Sequence, residues 1–166
     1  MDDESLSKMA EAYYLEGKLK EAIAACQQAI RVNPNFAPAY NTLGNILQAN
    51  SQIEAAMRAY SRSLQLSPNF FPAWANLGSL QDRQGYLDEA VASYERAIAI
   101  APQEAGVWED LGKLRCARGD LEEAISCFRQ LSWLPGPAIE PHAGRPSRRQ
   151  YQRLVFSFQT CWPRRQ

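Results

Sequence analysis

Histidine is almost missing from this chain: the single one, His142, lies in its C-terminal stretch. A Ser-His-Asp or Cys-His site would have to use it, with Cys116 or Cys127 as the thiol in the second case, and nothing nearby in sequence orients such a group. The four cysteines, Cys26, Cys116, Cys127 and Cys161, include no CxxC pair. Free thiols in a reducing compartment are therefore expected, with Cys26 buried in the core. No apolar run approaches the roughly 18 residues of a membrane span. The opening Met1-Asp2-Asp3-Glu4 has neither the basic segment nor the apolar core of a secretory leader, so a cytoplasmic location is expected. There is no glycine-rich phosphate loop and no cluster with metal-ligand spacing, so neither cofactor nor metal is expected. Net charge is absent too, with 18 basic residues against 18 acidic ones. That balance gives no reason to expect nucleic acid or an anionic membrane as partner.

The balance conceals two unlike regions. Before Pro135, 12 Lys/Arg stand against 17 Asp/Glu; from Pro135 onward there are 6 Arg against Glu140 alone. A change of this kind marks a boundary.

What is present before that boundary is repetition at an interval of 34 residues. Leu6, Tyr40, Trp74 and Trp108 align, then Met9, Leu43, Leu77 and Leu111, then Ala10, Gly44, Gly78 and Gly112. Gly17, Ser51, Gly85 and Gly119 follow, then Ala22, Ala56, Ala90 and Ala124, then Cys26, Tyr60, Tyr94 and Phe128. Ala29, Ser63, Ala97 and Leu131 complete the register, and Pro34, Pro68 and Pro102 close the first three repeats. Trp74, Leu77 and Gln81 mark one face of a first helix. Gly78 is small where something packs tightly, and Gly85 ends that helix. Ala90 and Tyr94 set a small residue and an aromatic on one face of a second helix, so a neighbour can approach. Ser51…Glu54 and Asp120…Glu123 have capping-box spacing for that second helix. Pro102 cannot continue a helix and resets the chain. Two antiparallel helices per repeat are predicted. The paired acids Asp88-Glu89 and Glu122-Glu123 fall at helix starts, where they suit the helix dipole better than general acid–base work.

These columns resemble the tetratricopeptide (TPR) family, whose pattern W-x₂-L-G-x₂-Y…A-x₃-F…P is met by Trp74, Leu77, Gly78, Ala90, Tyr94 and Pro102, and again by Trp108, Leu111, Gly112, Ala124 and Phe128. Repeat 1 departs with Leu6, Met9 and Ala10 but keeps Tyr13; repeats 2 to 4 carry Leu47, Gln81 and Arg115 where Tyr is usual. The resemblance implies an all-α, right-handed superhelical solenoid of antiparallel helix pairs over residues 3–134. The repeats fall at about 3–36, 37–70, 71–104 and 105–134, with an irregular tail at 135–166.

The resemblance also implies a protein–protein interaction scaffold rather than an enzyme, holding a peptide or partner helix in the concave groove. By family phase the groove takes Glu4, Ser7, Lys8, Glu11 and Tyr14 from repeat 1, and Asn41, Thr42, Asn45 and Gln48 from repeat 2. Repeats 3 and 4 add Ala75, Asn76, Ser79, Asp82 and Arg83, then Glu109, Asp110 and Lys113. The candidate contacts are Asn41, Asn45, Gln48, Asn76, Ser79, Arg83, Asp110 and Lys113. Asn45 and Asn76 lead, because a carboxamide donates and accepts at once. A clamp for the C-terminal carboxylate of heat-shock proteins is not expected: Asn45 and Asn76 fit it, but Asn41, Gly106 and Asp110 stand where Lys, Lys and Arg are needed. Asn76-Leu77-Gly78 and Leu43-Gly44-Asn45 are similar to the TPR arms of protein O-GlcNAc transferases. A second reading therefore makes the chain the N-terminal substrate-recruiting module of a larger glycosyltransferase- or methyltransferase-type enzyme. A third is weak self-association through the open end of repeat 4.

After Leu134 the helical phase is lost and Pro135, Pro137, Pro141 and Pro146 intervene. This stretch reads as a largely disordered, dispensable tail, with 151–158 as the segment suited to dock on repeat 4, and its abrupt change of composition fits a frameshift in a longer repeat protein.

Overall fold

A computed structural model describes residues 2–133. The expectations for the tail fall outside them. The described chain forms eight α-helices and no strand: α1 (Asp3–Leu15), α2 (Leu19–Val32), α3 (Ala37–Ala49), α4 (Ile53–Leu66), α5 (Phe71–Gln84), α6 (Leu87–Ile100), α7 (Ala105–Arg118) and α8 (Leu121–Trp133). Consecutive helices pair as α1 with α2, α3 with α4, α5 with α6 and α7 with α8, and each pair stacks on the next. First helices also touch one another, α1 on α3, α3 on α5 and α5 on α7, whereas no such contact joins the second helices. The stack therefore curves with the first helices inside, and the second helices form its outer face. This is an all-α helical-repeat solenoid.

The pairs of repeats 2, 3 and 4 are each locked by a ring set against a missing side chain. A Cβ added at Gly44 would lie 2.5 Å from Tyr60 Cε1, one at Gly112 2.6 Å from Phe128 Cε1, and one at Gly78 3.1 Å from Tyr94 Cδ1. Tyr60 and Phe128 are almost wholly buried. Repeat 1 fills the same columns with smaller parts, Ala10 and Cys26, both fully buried in one core cluster. Burial pushes the Cys26 thiol up to about 12, so it stays protonated and inert. Ala22, Ala56, Ala90 and Ala124 complete the tight seam at no more than 1 % exposure. Cys26 is free and buried as expected, and Cys127 is free as expected and buried as well, whereas Cys116 is disulfide-bonded, against the expectation of a free thiol.

The first helices end alike. After α5, Gly85 turns left-handed (φ 81°); its N–H bonds Asp82 O at 3.0 Å, and the N–H of Tyr86 bonds Gln81 O at 2.9 Å. This pair of bonds is the Schellman closure. It recurs after α3, where Ser51 takes the left-handed place (φ 59°). Ser51 is therefore a helix stop and not the head of a capping box. Gln52 precedes α4 without a side-chain cap. The carboxylate of Asp120, the other expected cap, meets Arg118 Nε at 3.1 Å.

The proline that closes a repeat is tied to the aromatic that opens the next. Tyr40 Oη donates to Pro34 O at 3.1 Å, and Trp74 Nε1 and Trp108 Nε1 donate to Pro68 O and Pro102 O at 2.9 Å. The departures at Gln81 and Arg115 are matched across the pair. Ser93 Oγ donates to Gln81 Oε1 at 2.6 Å. Arg115 donates to Cys127 Sγ at 3.4 Å and pairs with Glu95 of the preceding repeat.

Candidate functional site

The inner face is polar because successive first helices are joined there by side-chain hydrogen bonds. Thr42 Oγ1 donates to Glu11 Oε1 at 3.1 Å, tying α3 to α1, and Asn76 Nδ2 donates to Asn41 Oδ1 at 2.9 Å, tying α5 to α3. Along α3 the spacing of Asn41, Asn45 and Gln48 keeps all three on one side of the helix. Asn45, Gln48, Asn76, Ser79 and Arg83, with Tyr14 and Ala49, line one cavity of about 390 Å³.

The remaining candidates lie elsewhere. Asn41 is only 9 % exposed, and its oxygen is engaged by Asn76, so it supports the cavity wall from behind. Ser7 and Thr42, groove-facing by family phase, are buried as well. Asp110 and Lys113 sit on α7, beyond the cavity lining. Lys113 is paired with Glu109 at 2.8 Å. Desolvation, with Glu109 and Asp82 adding to it, raises the Asp110 carboxyl above its ordinary range, while Lys113 and Arg83 oppose the shift.

Below the cavity lies a group that sequence reasoning passed over. The Tyr60 ring is in the core, but its hydroxyl reaches the groove floor, 2.8 Å from Asn45 Oδ1 and 3.0 Å from Gln48 Oε1. The signal was present in the column Cys26, Tyr60, Tyr94 and Phe128, in which repeats 2 and 3 carry a hydroxyl and repeat 4 does not. Arg83, the charged residue of the lining, is exposed, and among the described residues no carboxylate lies within ion-pair distance of it. Among the described residues no group of three or more His, Cys, Asp or Glu is placed to hold a metal. No described helix is long and apolar enough to cross a membrane.

Stacked helix pairs with a polar inner groove define the class: a helical-repeat solenoid of the kind that serves as an interaction module. Family profiles agree on which one. A profile described as TPR repeat matches residues 10–51, one described as tetratricopeptide repeat matches 37–70 and 71–104, and another of that description matches 107–137. The chain belongs to the tetratricopeptide repeat family. No curated protein sequence matches it significantly. Among solved structures, MamA is similar at 26 % identity over 78 % of this chain and 75 % of that one, with a TM-score of 0.71. MamA from Desulfovibrio magneticus RS-1 is 22 % identical over 80 % and 75 %, with a TM-score of 0.69. The first TPR of Spaghetti (RPAP3), solved bound to the HSP90 peptide SRMEEVD, is 19 % identical over 71 % and 94 %, with a TM-score of 0.67. These likenesses show the fold.

Proposed function

We propose that this chain is a non-catalytic scaffold that holds an extended peptide segment of a partner protein in its concave groove. The observation that carries this reading is the cavity itself. Carboxamides from two neighbouring repeats, Asn45 and Gln48 from one and Asn76 from the next, converge there with Ser79 and Arg83. Carboxamides suit the alternating N–H and C=O groups of an extended backbone. Arg83 favours a carboxylate beside that backbone. A TPR relative bound to a peptide lends the reading support. The cations of a terminal-carboxylate clamp are absent, since Asn41, Gly106 and Asp110 occupy their places, so SRMEEVD is expected to bind weakly or not at all.

The test begins with a displayed library of random 12-residue peptides panned on the full chain. Calorimetry then measures the selected peptide against wild type and Asn45→Ala. Loss of one hydrogen bond should cost about 0.5–1.5 kcal/mol of affinity. Unchanged affinity would move the site away from the cavity.

A further inference from the structure

We propose that Tyr60 is a positioning residue for the peptide groove, and that its hydroxyl turns the Asn45 carboxamide so that its N–H₂ faces the ligand. This inference rests on the groove reading above. The phenolic proton is directed at Asn45 Oδ1 (2.8 Å) and shared with Gln48 Oε1 (3.0 Å). A carboxamide is planar, so holding its oxygen at the floor points its nitrogen away from the floor. The mirror arrangement occurs one repeat on: Asn76 spends an N–H on Asn41 Oδ1 at 2.9 Å, which leaves its own oxygen to the groove. The cavity thus presents a donor from Asn45 and an acceptor from Asn76. Together they match the acceptor and donor that an extended backbone offers, whatever its side chains.

The hydroxyl is not required for packing. Repeat 4 fills the same column with Phe128, and that ring approaches Gly112 as closely as Tyr60 approaches Gly44 (2.6 and 2.5 Å to an added Cβ). The ring serves the fold in both repeats; the oxygen is carried by repeats 2 and 3, as Tyr60 and Tyr94, the two repeats whose α3 and α5 supply most of the cavity lining. Burial raises the phenol of Tyr60 far above its ordinary range, so it remains a donor throughout the neutral range.

Tyr60→Phe in the full chain separates the two roles. In the absence of ligand, NMR should show the Asn45 side-chain N–H₂ losing order while the melting temperature barely moves. An Asn45 amide as rigid as in wild type overturns the proposal. The library-selected peptide should then bind Tyr60→Phe about two- to tenfold more weakly, as expected for one lost hydrogen bond. In an Asn45→Ala/Gln48→Ala background, the same substitution should have no further effect. Affinity lost in Asn45→Ala but unmoved in Tyr60→Phe overturns the positioning role alone. Affinity unmoved in both overturns the groove reading on which it stands.

Discussion

Repeats 2 and 4 use one packing device and differ in what it faces. Both press an aromatic ring against a glycine, Tyr60 on Gly44 and Phe128 on Gly112, at nearly the same depth. In repeat 2 the ring ends in a hydroxyl bonded to groove carboxamides; in repeat 4 it ends in carbon. At the position that is Leu47 in repeat 2, repeat 4 has Arg115, which reaches Cys127 and Glu95. The rings that hold a pair together are thus interchangeable, whereas the polar atoms at their tips are local. Packing and the hydrogen bonds to the groove carboxamides are carried by different atoms of one side chain.

Removing the shared part should have the largest effect. Tyr60→Ala and Phe128→Ala each empty a buried ring site and should cost about 3–5 kcal/mol in denaturant melts. A small cost at either would break the equivalence of the two rings. Next comes the alanine column that lets the helices meet: Ala90, fully buried, should overpack as Ala90→Leu by about 1–3 kcal/mol, and a neutral result would refute the pairing of α5 with α6. Gln81→Ala should cost about 1–2 kcal/mol. The side chain is half-buried and accepts the hydroxyl of Ser93, which is 3 % exposed. A melt unchanged from wild type would show that water replaces it. The smallest effect has the opposite sign. Ser51 occupies the left-handed place that glycine fills after the other first helices, so Ser51→Gly should stabilise by about 1 kcal/mol.

The fold was legible because its determinants repeat. Glycine, alanine, aromatic and proline columns at fixed phase identify the helix pairs and their order without knowledge of any single contact. The groove was legible by the same phase, which is why Asn45, Gln48, Asn76, Ser79 and Arg83 meet in one cavity. Pairings between particular side chains were not legible. Phase places Asn41 on the inner face, but only the spacing of α3 and α5 decides that Asn76 covers it. Ser51…Glu54 has the spacing of a cap, yet the turn needs a left-handed residue first, and backbone geometry prevailed over the motif. Tyr60 was read as core because its ring is core. A single letter in a column does not reveal that the last atom of the side chain reaches the opposite surface.

The central claim is that partners are held on the inner face, over the joint between repeats 2 and 3. A photo-crosslinking residue placed at Ser79, in the cavity, and separately at Ser61, on the exposed face of α4, tests it on the full chain with the selected peptide. Crosslinking from position 79 and none from position 61 is the expected result; crosslinking from 61 with none from 79 would place recognition on the outer face and contradict the account.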